Sequence, residues 1–163
     1  MNYIYVGEVV NTHGIKGELR IISNFDYKDK VFVKGMDIYL GKRKQKMTIN
    51  SYRKHKNYDM VLLDGINDIN DAIAFKGDMV YINRDSIQIN GYFDEDLIGL
   101  DVISNDKIIG KVLKIIFNKA HKIIVVNGDK NYMIPYVDEY IKNIDINNKT
   151  ITINAIKGLL DED

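Results

Sequence analysis

The sequence predicts an all-β chain folded as two small domains. Short runs rich in Tyr, Val and Ile recur at close spacing, each of strand length. Clusters of Gly, Asn, Asp and Lys separate them, which marks turns. One polar stretch without periodicity, "RDSIQINGYFDEDL", divides the runs into two blocks. The 163 residues suffice for one ordinary domain or two small ones.

The first block opens with "YIYVGEVV", a strand ending near Val10. "ELRII", "MDIYL", "KMTINSY", "DMVLLDG" and "MVYIN" follow as further strands. So many short strands fit a small barrel or a sandwich. One helix is expected between the last two. Asp68 caps it, Ile69, Ala72 and Ile73 give its apolar stripe, and Gly77 ends it. The domain spans residues 1–84 and the linker residues 85–94.

The second block, residues 95–163, resumes with "LDVIS", a turn at "ND", and "KIIGKVLKIIF". Then come "KIIVV", a turn at "NGD", "NYMIP", "NIDI", a turn at "NN", and "KTITINAI". Asn127-Gly128 and Asn147-Asn148 suit hairpin turns, because Asn and Gly accept positive φ. "VDEYIKN" fits one short helical turn after Pro135, the only proline.

Composition excludes several classes. A chain 45% hydrophobic and 28% charged is ordinary for a soluble globular protein. With no cysteine there is no disulfide framework, thiolate zinc site or cysteine nucleophile. The opening "MNYIYVGEVV" has no basic n-region, and no run approaches the roughly 20 apolar residues of a spanning helix. A cytoplasmic location is expected, with no membrane contact.

Net charge is zero, but the halves differ. Residues 1–90 carry 14 basic and 11 acidic side chains; residues 91–163 carry 9 and 12. Residues 42–56 hold seven basic side chains and no acid: Lys42, Arg43, Lys44, Lys46, Arg53, Lys54 and Lys56. This is either a local footprint for an anionic partner or a solvated hairpin tip.

The loop in "NTHGIKGELR" sets the enzyme question. It is not a P-loop, since Gly14 and Gly17 are three apart and Glu18 follows. His13, His55 and His121 are scattered, without metal spacing or an evident nucleophile. "DGINDINDAIAF" lacks the Gly and Glu of a calcium loop. The structural reading is favoured: His13, Gly14 and Gly17 form a tight turn between two strands.

"VGEVVNTHGIKGELRI" resembles the N-terminal signature of the RimM family of bacterial ribosome maturation factors. "RKHKNYDMVLLDGINDINDAIAFKGDMVYI", "GYFDEDLIGLDVIS" and "YMIPYVDEYIKNIDINNKTITINAIKGLL" are similar to its later segments, in the same order. The resemblance implies a six-stranded barrel like the second domain of translation elongation factors, followed by a PRC-barrel. It implies an accessory factor in late small-subunit assembly, not an enzyme, and no cofactor. The implied partners are the 3′ domain of small-subunit rRNA and the head ribosomal protein uS-nineteen, met by a monomer.

The family's aromatic pair, usually Tyr-Tyr, corresponds to Tyr92-Phe93 here, with the second hydroxyl lost. Near Ala120-His121-Lys122 the family often has an acid, so this chain departs there as well. Neighbouring side chains of an extended segment point to opposite sides. One ring then packs inward and the other meets a partner; the alternative is that both seal the domain interface. A stand-alone RNA-binding module, contacting RNA through the basic hairpin, is the second reading.

Limited proteolysis is expected to cut first within residues 84–94, between two separate folding units. A first cut inside either β-rich block, with both halves unfolding together, contradicts that division.

Overall fold

The computed structural model describes residues 1–118 and 121–154. Ala120 and the last part of the C-terminal resemblance, residues 155–160, lie outside the described residues. The chain divides into two compact units, Met1–Asn90 and Gly91–Asp163.

In the first unit six strands close a barrel. They are β1 (Tyr3–His13), β2 (Glu18–Ile22), β3 (Asp37–Leu40), β4 (Gln45–His55), β5 (Tyr58–Leu63) and β6 (Met79–Asn83). The order around the barrel is β1-β2-β5-β4-β3-β6, and β6 pairs back onto β1. Alternation fixes which side chains fill it. Leu19 and Ile21, Ile38 and Leu40, Val61 and Leu63, and Val80 and Ile82 are all buried. On β1 the buried set is Ile4, Val6 and Val9, whose phase slips by one residue. Irregularities in register at Tyr5/Gly7 and Val9/Asn11 absorb the slip.

A short helix α1 (Lys28–Val31) packs beside β5 through a buried charge. Asp59 is fully buried and accepts from Lys28 Nζ and from Tyr52 Oη, each at 2.7 Å. Burial and the Asp59 carboxylate push the Tyr52 hydroxyl up to about 12. Tyr52 also stacks on Phe32, with ring centroids 5.8 Å apart. The helix expected after β5 is present as α2 (Ile69–Ala72), continued by a 3-10 turn at Ile73–Phe75. The Asp68 carboxylate accepts from the Asp71 N–H at 3.0 Å. Gly77 follows with φ +90.

The turn between β1 and β2 is tighter than the sequence implies. β1 runs to His13, which pairs with Glu18, so the reversal occupies only residues 14–17. Both Gly14 and Gly17 have positive φ, +75 and +83. A Cβ on Gly17 would lie 2.5 Å from the Asp68 carbonyl oxygen; one on Gly14 would meet nothing within 4 Å. Gly17 therefore lets the β1–β2 turn lie against the start of α2.

The second unit opens with α3 (Asp94–Leu97). Its strands are β7 (Asp101–Ser104), β8 (Lys107–Asn118), β9 (His121–Gly128), β10 (Asn131–Pro135), β11 (Ile141–Asp145) and β12 (Thr150–Ile153). They form one six-stranded sheet in the order β10-β9-β8-β7-β12-β11, with β12 and β7 parallel. Leu97, Leu100, Val102, Val112, Ile124, Val126, Ile134, Ile151 and Ile153 make a single core. Ile141 and Ile144 pack against it, so all six strands enclose the same core.

Two turns differ from expectation. At "NGD" the chain does reverse, over residues 128–130 between the paired Asn127 and Asn131, but neither Asn127 nor Gly128 has positive φ. Gly128 is required instead by close approach to β8. A Cβ there would lie 2.0 Å from the Ile109 carbonyl oxygen. At Asn147-Asn148 the chain does turn, but the positive φ falls on Lys149, at 58. The asparagine works through its side chain and N–H, both bonded to the Asp145 carboxylate. Asn105 and Asp106, at the "ND" turn, are the residues with φ of 50 and 63. After Pro135 the chain makes one turn, with the N–H of Tyr140 and of Ile141 donating to the Val137 carbonyl.

Gly17→Ala and Gly14→Ala separate the two roles of glycine. Each forces an alanine into positive φ, at about 1 kcal/mol or more. Gly17→Ala adds a backbone clash and is expected to lower the thermal midpoint clearly more than Gly14→Ala. Equal losses in a melting experiment would show that the α2 contact is dispensable.

Candidate functional site

Tyr92 and Phe93 stand at the entry to α3, and the fold treats them differently. Phe93 is only 4% exposed. Its N–H donates to the Asp96 carboxylate at 3.0 Å, which satisfies a backbone donor at the helix start. Tyr92 is half-buried and packs against the core of the second unit, with its hydroxyl 3.5 Å from the Ile144 carbonyl. The exposed part of the pair therefore belongs to Tyr92. The adjacent acids are partly engaged as well. Asp94 accepts from Lys122 Nζ at 2.8 Å, and Asp96 holds the Phe93 N–H.

The seven basic side chains of residues 42–56 do not form one patch. Lys42, Arg43 and Lys44 lie at the β3–β4 turn; Arg53 and Lys54 lie near the far end of β4, and Lys56 at the β4–β5 turn. An 11-residue strand separates these ends, a span of about 35 Å. Their surroundings differ too. Lys44 Nζ sits 4.2 Å from the Tyr81 ring centroid, a cation–π contact. Lys46 faces Asp37 at 3.6 Å. Arg53 makes a two-pronged bond to Glu18, each distance 2.8 Å. Lys54 lies 3.9 Å from Asp59. Lys42, Arg43 and Lys56 have no ion-pair partner among the described residues.

The fold also assembles a cluster that spacing conceals. His13 and His55, 42 positions apart in sequence, have ring centroids 6.0 Å from each other. An Arg20 guanidinium nitrogen lies 3.0 Å from His13 Nδ1, and the same guanidinium covers the Tyr58 ring at 5.0 Å. Arginine only donates, so His13 accepts at Nδ1 and carries its proton on Nε2. The Arg53 hydrogen bond holds the Glu18 carboxyl below its ordinary range. Desolvation, then Arg53, Lys56, His13 and Arg20, hold His55 below its ordinary range. Only the order β1-β2-β5-β4 brings these residues together.

A cleft of about 460 Å³ beside β3 contains a single carboxylate, Asp37. That group is held by Thr48 Oγ1 at 2.6 Å and faces Lys46.

The whole chain has relatives. Residues 4–87 match the RimM N-terminal domain, and residues 94–159 match the RimM PRC barrel domain. The chain belongs to the RimM family. It is 43% identical to a ribosome maturation factor RimM of Staphylococcus haemolyticus, over 97% of this chain and 99% of that protein. A Staphylococcus epidermidis RimM is 41% identical over the same shares. The solution structure of the N-terminal domain of RimM from Thermus thermophilus is 19% identical, covering 55% of this chain and 98% of that one, with a TM-score of 0.46. The two family domains fall one in each compact unit, so RimM architecture accounts for both sheets.

Phe93→Ala is expected to cost about 3–5 kcal/mol of stability, as for a buried ring. Tyr92→Ala removes a half-buried ring and costs less, about 1–2 kcal/mol. Urea unfolding of the two single variants measures both. Equal losses would show that the two rings share one environment.

Proposed function

We propose that this chain is an assembly factor for the small ribosomal subunit, working by binding and not by catalysis. In this reading it docks the head ribosomal protein uS-nineteen through Tyr92, whose ring is seated on the core of the second unit. Basic side chains at the two ends of β4 contact rRNA near the 3′ domain. The chain acts as a cytoplasmic monomer without a cofactor.

The observation that carries the reading is the family match over both units, among relatives named ribosome maturation factors. The geometry adds to it. A half-buried aromatic ring seated on a packed core is the kind of anchor that gives a transient interface its affinity. Lys42, Arg43 and Lys56 are exposed cations without internal partners among the described residues, and such groups steer an anionic partner. His13 supports binding over catalysis, since its Nδ1 is taken up by Arg20.

Co-sedimentation with free small subunits and with complete ribosomes tests the reading. The chain is expected to pellet with free subunits in preference to complete ribosomes. Tyr92→Ala is expected to keep a cooperative melting transition and lose capture of uS-nineteen. Charge reversal at Lys42, Arg43 and Lys44 is expected to weaken subunit association, most strongly at low salt. A folded Tyr92→Ala that still captures uS-nineteen would sink the docking role. Affinity that ignores both charge reversal and salt would remove the rRNA role from the β3–β4 turn.

A further inference from the structure

We propose that the end of the first barrel where the β1–β2 and β4–β5 hairpins meet is a binding site for the phosphodiester backbone of RNA, with His13, Arg20, His55 and Lys56 as its recognition residues. The inference rests on the rRNA reading above and gives it a specific site.

The argument begins with charge. Arg20, Arg53 and Lys56 gather here with the two imidazoles, against one carboxylate, Glu18. Glu18 is not available to neutralise the rest, since both prongs of Arg53 hold it. Arg20 and Lys56 are left with positive charge and no acid among the described residues. Like charges held this close repel, and an anion that enters among them relieves the repulsion.

Rigidity is the second part. The Arg20 guanidinium is fixed by the His13 ring on one side and the Tyr58 face on another. Its bond to Nδ1 leaves the His13 Nε2–H as a donor. His55 and Lys56 sit at the adjoining turn, where Lys56 takes a φ of 56. With His13 Nδ1 taken up by Arg20, the groups left to meet a ligand can donate, which suits phosphate oxygens. Little ordering is left for the ligand to impose.

The third part is a pH signature. The groups facing His55 are Arg53 and Lys56 from its own strand and turn, His13 from β1, Arg20 and Glu18 from β2, and Tyr58 from β5. Without an anion these surroundings disfavour its protonated form. A bound phosphate favours that form, so binding takes up protons and strengthens as pH falls. Glu18 stays ionised through this window, because Arg53 lowers its titration.

The test uses the full chain, a labelled single-stranded RNA of about twelve nucleotides, within the site sizes single-strand binders span, and fixed low ionic strength. Affinity by fluorescence anisotropy is expected to rise on the order of three- to tenfold from about pH 8 to about pH 6, within the tenfold per pH unit that one linked proton can give. The imidazole NMR signal of His55 should titrate at higher pH with RNA than without, while that of His121 serves as an unmoved reference. His13→Gln with His55→Gln should abolish the pH dependence and leave the melting transition in place. Lys56→Gln should flatten the salt slope by about one contact.

A His55 signal that does not move at saturating RNA would overturn the site, as would a pH dependence that survives the double histidine substitution. Movement with inorganic phosphate but not with RNA would also reject it. If Lys42, Arg43 and Lys44 reversal removes RNA binding while the histidines never respond, the rRNA reading stands and this site falls. If RNA never binds at either pH, the site falls together with direct RNA contact, and uS-nineteen docking is left as the function.

Discussion

Closure of the first barrel depends on one strand. β1 is bonded to β2 on one side and to β6 on the other, so it joins the two ends of the sheet. Closure removes every exposed edge, but it demands strong local twist from the strand that completes it. β1 meets that demand with an irregularity in each of its two ladders and with Gly7 between them. A Cβ at Gly7 would lie 2.6 Å from the Ile22 carbonyl oxygen. The slip from Val6 to Val9 then keeps apolar side chains inward on both sides of the bend. The turn at residues 14–17, the seat for α2 and the placing of His13 all follow from where β1 ends.

The same closure explains why some features are legible in the sequence and others are not. Strands announce themselves by alternation, which is local, and all six of the first unit and the helix capped by Asp68 can be read that way. Neighbour relations in a barrel are not local. Residues 42–56 look like one basic footprint on paper, yet β4 carries their charges to opposite ends. His13 and His55 look unrelated, yet β2 and β5 lie between their strands and bring the rings together. Sequence spacing assigns His13 to a structural turn, where the fold gives it a partner in Arg20.

The second unit teaches a related lesson about turn residues. Asn and Gly mark a reversal only when their φ freedom is what the position needs. At Gly128 the missing side chain matters more than the dihedral, although the chain does reverse there, over residues 128–130. At Asn148 the amide group matters, and the strained dihedral moves on to Lys149. Likewise "GYFDEDL" visibly bears two adjacent rings, but not the choice of which one the fold buries. Phe93 is the ring the fold buries, and its N–H donates to the Asp96 carboxylate at the start of α3.

Gly110 and Gly128 face each other across β8 and β9, and each leaves no room for a side chain on the other's strand. A Cβ at Gly110 would reach within 2.5 Å of the Asn127 carbonyl oxygen, as one at Gly128 would reach the Ile109 carbonyl. Every missense change one nucleotide away from a glycine codon introduces a Cβ. The gene therefore has no tolerated first step at either codon, and a compensating change at the facing position would meet the same obstruction. Lineages of this chain should drift freely on the exposed strand faces around this point while these two codons stay fixed in their coding sense, marking the β8–β9 crossing long after the surrounding residues have changed.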